Sequence, residues 1–250
     1  MSSTGRRSPG PAGAYTANPQ RTTTDSNPAA LRDPVEVVVL DVDGTLVDSN
    51  YQHAVAWHRA FRSQGVGVPV WRLHRQIGTG GDRFVADVAG TEVEDAHGDA
   101  LRDVHTREFN ELIDEVEALE GATELLAELR HRGLRVVLAS SGQPQHIDRF
   151  AEMLGAPDLD VEWTRSGDAD ESKPAPDLIE VALDKVGGGR ALMVGDATWD
   201  FRAAKKLGLS TVGLLTGGIS EAELRAAGAD AVYPSLGDLM SNLDGELGRR

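Results

Sequence analysis

Val35-Glu36-Val37-Val38-Val39-Leu40-Asp41-Val42-Asp43-Gly44-Thr45-Leu46 decides the fold. Its first half is a near-continuous β-branched run, the pattern of a strand buried on both faces. Similar runs recur at Leu134 to Ala139, Ala191 to Val194 and Thr211 to Leu215. Helical patterns alternate with them at Thr123 to Arg132, Pro144 to Leu154, Asp177 to Val186 and Phe201 to Leu207. Strands alternating with helices predict an α/β fold with a parallel sheet and right-handed crossovers. Short helices are expected beyond the last strand, at Glu221 to Ala227 and Leu236 to Leu247.

The alternation stops between residues 50 and 119. Ala54, Val55, Trp57 and Phe61 recur at helical spacing, as do Leu101, Val104, Phe109, Leu112 and Ile113, and no strand pattern intervenes. This stretch reads as a helical insert between the first and second strands, with a core domain of residues 35–49 and 120–250 around it. Residues 1–34 are rich in Ser, Thr, Pro, Gly, Asn and Arg and carry almost no apolar periodicity. Such a segment buries too little surface to offset its ordering entropy, so a disordered N-terminal tail is expected.

Composition narrows the function. The 250 residues contain no cysteine, which excludes disulfides, thiolate metal sites and cysteine nucleophiles. A formal charge of −15 argues against nucleic acid and anionic membranes as partners. No apolar run approaches the roughly 18 residues that span a bilayer, and Arg6-Arg7 has no apolar region behind it. A cytoplasmic protein, monomeric or homodimeric, is expected.

Ligands of open parallel sheets bind outside the carboxyl ends of the strands, and polar residues sit at those ends here. Asp41 and Asp43, two apart, point to one side while the chain stays extended, and Gly44 then lets the backbone turn away. The second strand ends at Ser140-Ser141-Gly142, and a later one runs into Gly195-Asp196, with Asp200 four residues on. Three acids brought within about 6 Å of one another at an effective dielectric near 20 cost on the order of 8 kcal/mol. Only four lysines exist, Lys173, Lys185, Lys205 and Lys206, so one side chain cannot balance the site. An all-oxygen ligand set points to a hard divalent cation, Mg²⁺ first, and an acidic site so charged attracts a phosphate.

Asp41-Val42-Asp43-Gly44-Thr45-Leu46-Val47-Asp48-Ser49 resembles the first motif of the haloacid dehalogenase superfamily. Ser140 resembles its second motif, Lys173 in Ser172-Lys173-Pro174 its third, and Gly195-Asp196 through Asp200 its fourth, in the family's order. The resemblance implies a Rossmann-like parallel sheet with helices on both faces and an inserted α-helical cap domain. It implies that Asp41 is the nucleophile forming an aspartyl-phosphate, and that Asp43 is the general acid/base. It assigns Mg²⁺ to the Asp41 carboxylate, the Asp43 backbone carbonyl and Asp196, with Asp200 supporting the metal. Ser140 and Lys173 would hold phosphoryl oxygens, with backbone N–H groups around Gly44 and Gly142 completing the cradle. Asp200 also reads as an N-terminal helix acid, Ser141 as either a ligand or a turn residue, and Asp48 and Ser49 as helix caps.

The cap position implies control over substrate choice. Its candidate selectors are His53, Trp57 (also readable as core) and the loop Ile77 to Arg83, where Gly80 and Gly81 permit close backbone approach and Arg83 offers a partner for an anion. His58, His74, His97, His105 and His131 show no metal-ligand spacing and read as surface residues. The first lysine of the chain is Lys173, so no cap lysine exists for the imine used by phosphonate-cleaving relatives. An acid at position 43 favours phosphoryl transfer over halide displacement. The expectation is a Mg²⁺-dependent phosphatase on a small phosphorylated metabolite, such as phosphoglycolate or a sugar phosphate. A phosphosugar mutase resembling β-phosphoglucomutase, kept open by His53 and Arg83, and a non-catalytic binding module are the alternatives.

Overall fold

A computed structural model describes residues 34–165 and 167–248. The expected tail lies outside the described residues except for Pro34. In chain order the elements are β1 (Val37–Leu40), α1 (Asn50–Ser63), α2 (Val70–His74), α3 (Gly81–Ala89), α4 (Thr91–Asn110), α5 (Ala122–His131), β2 (Arg135–Leu138), α6 (Pro144–Met153) and β3 (Glu162–Trp163). There follow α7 (Asp177–Lys185), β4 (Ala191–Gly195), α8 (Thr198–Lys206), β5 (Ser210–Leu214), α9 (Glu221–Ala227), β6 (Ala231–Tyr233), α10 (Leu236–Ser241) and α11 (Leu243–Glu246).

The six strands form one parallel sheet in the order β3-β2-β1-β4-β5-β6. β1 is central, with Val38 paired to Val136 of β2 on one side and Leu192 of β4 on the other. Its alternation divides the core. Val38 and Leu40 face a cluster containing Leu125 and Leu129 of α5 and Phe150 of α6, while Val37 and Val39 face Ile179 of α7 and Ala203 of α8. Helices therefore cover both faces, which is why the strand shows no polar alternation.

The structure adds two strands that the sequence reading lacked, β3 and β6, both at the sheet's edges and only two and three residues long. α8 begins at Thr198 rather than at Phe201, because the Asp200 carboxylate accepts the Ala197 backbone N–H at 3.1 Å and closes the helix's first turn. The expected helix from Leu236 to Leu247 is broken at Asn242 into α10 and α11.

Between β1 and α5 the chain forms four α-helices, α1 to α4, with an apolar cluster of their own, including Trp57 and Phe61 of α1, Leu73 of α2, Phe84 of α3 and Leu101 of α4. The segment touches the sheet's carboxyl edge at several points. His74 Nε2 donates to the Gly217 carbonyl at 3.0 Å, and Arg75 pairs with Glu223. Gly78 packs so closely on Ala197 that a Cβ there would lie 2.9 Å from the alanine methyl. Among the described residues, no helix is long and apolar enough to cross a membrane.

Candidate active site

The order β2-β1-β4 puts the topological switch point between β1 and β4, and the polar residues converge beyond the ends of these strands. Asp41 follows β1 directly; its backbone N–H donates to the Val194 carbonyl at 2.9 Å, and the residue is 4% exposed. Lys173, 1% exposed, pairs with Asp41 and reaches Asp200 Oδ1 at 2.8 Å. An ordinary surface lysine is thereby excluded. Asp196, at the end of β4, accepts Thr45 Oγ1 at 2.8 Å and Asn50 Nδ2 at 2.9 Å.

These contacts require a tight turn after Asp43. Gly44 has φ +77°, and a Cβ on it would strike Asn50 and the Asp196 carboxylate. A Cβ on Gly217 would likewise strike the Asp196 carboxylate.

One oxygen from each of Asp41, Asp196 and Asp200 lies within 4.8 Å of the others, all three buried, so the group could hold a metal ion. Burial pushes Asp41 well above the usual carboxylate range, against the pull of Lys173. Burial and the neighbouring Asp200 push Asp196 up to about 7, opposed by the hydrogen bonds from Thr45 and Asn50. Burial alone would discharge Lys173, but Asp200 and Asp41 hold it charged above its ordinary range. One ammonium thus faces three carboxylates, and an all-oxygen donor set with this excess of negative charge fits a hard divalent cation. Asp200 takes the helix-terminal role considered for it, through Oδ2, and its Oδ1 pairs with Lys173 beside the acid cluster.

Asp43 is outside that cluster. Its Oδ1 accepts Ser49 Oγ at 2.5 Å and faces His53 Nε2 at 3.2 Å, while Oδ2 lies 3.5 Å from Ser140 Oγ. Burial would raise the Asp43 pKa, but the hydrogen bonds from His53 and Ser49 pull it below the ordinary value. Ser49 therefore holds Asp43 instead of capping α1, where no side-chain cap bond forms.

Asp41, Asp43, His53, Ser140, Ser141, Gly142 and Gly81 border one cavity of about 100 Å³. Gly80 packs against Ser172 at the start of α3, where a Cβ would strike the serine hydroxyl. Arg83 does not reach the cavity. Its side chain is 43% exposed, 3.9 Å from Asp87 one turn along α3. The arginine that borders the cavity is Arg102 of α4. His105 is no surface residue either; it borders the cavity, stacked on Trp57 at 4.1 Å. Trp57 does both things considered for it, since it is buried in the helical cluster and also borders the cavity.

The two glycine amides expected in the backbone cradle both have partners within their own turns. The Gly44 N–H is committed to the Val47 carbonyl at 2.8 Å, and the Gly142 N–H to Ser140 Oγ at 3.1 Å. Among the described residues no group accepts from the N–H of Val42, Asp43 or Ser141, the neighbours of those two glycines.

Residues 35–208 match the haloacid dehalogenase-like hydrolase family. A hydrolase from Pseudomonas syringae, known by crystal structure, is similar with a TM-score of 0.79 and 33% identity, over 84% of this chain and 98% of that one. Protein CbbY (plasmid) of Cupriavidus necator is 27% identical over 222 residues, 82% of this chain and 87% of its own length. A phosphoglycolate phosphatase of Vibrio parahaemolyticus is 27% identical over 219 residues, 82% of this chain and 95% of that protein. The match spans every strand through β4 and all four loops that build the cavity and its acid cluster, and on that ground the chain belongs to the haloacid dehalogenase-like hydrolase family.

Proposed function

We propose that the protein is a Mg²⁺-dependent phosphatase that hydrolyses a small phosphorylated metabolite through an aspartyl-phosphate on Asp41. In this reading residues 50–119 act as a helical cap on a core of residues 35–49 and 120–250. The observation that carries it is the contrast between two acids two residues apart. Asp41 is buried against Lys173, whereas Asp43 turns away to Ser49 and His53 while bordering the same cavity. Two carboxyl groups in different environments can take different roles.

An Asp41 oxygen bonds to phosphorus as the bond to the leaving oxygen breaks, and Asp43 supplies that oxygen with a proton. The negative charge of the bound phosphoryl group raises the proton affinity of Asp43, which the hydrogen bonds from His53 and Ser49 otherwise lower. Water then bonds to phosphorus, its proton passes to Asp43, and the phosphorus–Asp41 bond breaks to release inorganic phosphate. Lys173, Ser140 and the free N–H groups of Val42, Asp43 and Ser141 hold the phosphoryl oxygens. Asp41, Asp196 and the Asp43 carbonyl would hold Mg²⁺, supported by Asp200, and the ion would neutralise phosphoryl charge.

The test is phosphate release from a panel of phosphorylated metabolites, with Mg²⁺ and with a chelator. Chelator-sensitive release that disappears in a folded Asp41→Asn variant is expected. Release indifferent to either treatment would overturn the assignment. The mutase alternative leans on His53 and Arg83, and only His53 borders the cavity, so hydrolysis is the better-supported reading.

A further inference from the structure

We propose that the leaving group accepted by this site is electrically neutral and hydroxyl-bearing, a sugar or polyol, rather than one carrying a carboxylate or a second phosphate. The inference rests on the phosphatase reading and deepens it.

The first ground is continuity. The catalytic cavity shares Gly81, Arg102, Ser141 and Gln143 with an adjoining cavity of about 500 Å³, so a leaving group that extends from the phosphoryl site meets the walls of both.

The second ground is charge. Among the described residues, Arg102 is the one arginine bordering the catalytic cavity, and it is already matched. Its Nη2 donates to Glu94 and to Asp99, both at 2.8 Å, and its Nη1 to the Gly81 carbonyl at 3.1 Å. Two carboxylates thus face one guanidinium. In the adjoining cavity Arg165 is bound to Asp148 at 2.7 Å, while Asp82 and Asp170 add negative charge to the wall. No lysine occurs before Lys173, and Lys173 is itself held between Asp41 and Asp200. Burial also keeps His105 and His146 uncharged near neutral pH. An anionic leaving group would therefore meet acids without a free cation, a placement that discriminates strongly.

The third ground is what remains unmatched. The exposed Gln143 side-chain amide and the half-buried Ser141 hydroxyl border both cavities and bond to no other group among the described residues. Neutral donors and acceptors of this kind are available to the hydroxyl groups of a leaving group.

The test measures kcat/KM for phosphate release by the Mg²⁺-loaded full chain on two pairs of compounds. One pair is glycerol 1-phosphate and phosphoglycolate; the other is glucose 6-phosphate and fructose 1,6-bisphosphate. The neutral leaving group is expected to be favoured roughly 10- to 100-fold in each pair. Thr106→Lys, which adds a cation to the cavity wall, should narrow both gaps, and Gln143→Leu should raise KM for glucose 6-phosphate several-fold. Equal or better turnover of phosphoglycolate or the bisphosphate overturns the proposal while leaving the phosphatase reading intact. An unchanged gap in a folded Thr106→Lys variant overturns its electrostatic basis. Release from none of the four overturns this inference, and silence across the wider metabolite panel overturns the phosphatase reading with it.

Discussion

His105 Nε2 lies 3.1 Å from His53 Nδ1, on the side of the His53 ring away from Asp43. His53 Nε2 in turn lies 3.2 Å from Asp43 Oδ1. With Asp43 ionised, His53 Nε2 is the donor to Asp43, and the His53–His105 contact is satisfied when either ring nitrogen donates to the other. Stacking fixes the rings, His53 on Phe109 at 3.7 Å and His105 on Trp57 at 4.1 Å. Ser49 and His53 both bind Oδ1, and Oδ2 is left with the 3.5 Å contact to Ser140 Oγ, on another residue of the cavity wall.

His105 is then a positioning residue. His105→Phe should lower kcat about tenfold, a fraction of the 10²–10⁴ that general acid–base catalysis contributes, with little change in KM. His105→Gln, which retains an N–H donor, should recover part of the loss. Steady-state kinetics on the three proteins checks this. Equal damage by Phe and Gln, or a change confined to KM, would remove the role.

Lys173 supports a second prediction. It stands between Asp41 and Asp200 with almost no exposure, so an apolar replacement leaves two buried carboxylates without their cation. Breaking a buried ion pair by removing one partner costs about 3–5 kcal/mol. Lys173→Met should lose stability of that order in urea unfolding of the metal-free protein, and more at pH 8 than at pH 5, where the orphaned acids can take up protons. A loss independent of pH would mean that packing rather than charge holds the lysine.

How much of this was legible in the sequence follows from where each signal resides. β1 and its two acids were readable because a strand buried on both faces must be apolar throughout, so the polar residues that follow stand out. β3 and β6 were not, because a two- or three-residue edge strand has no room for a pattern. Arg83 sits in a stretch that reads as a loop, but α3 starts at Gly81, and the helix carries its side chain along to Asp87. Arg102 and His105 lie on α4, whose sequence is rich in charge and poor in apolar contrast. Their importance depends on α4 lying against α1, a tertiary fact with no local signature.

The buried acid cluster predicts metal-linked stability. An ion that binds only the folded chain stabilises it by about 2.7 kcal/mol at one hundred times its dissociation constant, several degrees in Tm for a chain of this size. Mg²⁺ should produce such a rise. Asp196→Asn retains a side-chain oxygen within reach of Thr45 and Asn50 and should abolish most of the rise while leaving the metal-free protein folded. An undiminished Mg²⁺ shift in that variant would exclude Asp196 as a ligand. Thermal melts with and without chelator suffice.

His146 makes the fold sensitive to acid. It is buried beside the cavity with Nε2 2.7 Å from Asn110 Oδ1, and burial, reinforced by His53, pushes its pKa down to about 4 from an ordinary 6.5. Because the folded value lies below the unfolded one, between these two pH values the unfolded chain binds a proton that the native chain does not. The stabilisation is therefore complete above about pH 6.5 and is lost as pH falls toward 4, an effect on the order of 1–2 kcal/mol after allowance for solvent screening. His146→Gln keeps an amide donor for Asn110 but cannot titrate. Its urea midpoint should fall less between pH 7 and pH 4.5 than that of the parent protein, and identical pH profiles would show that His146 contributes nothing to acid sensitivity.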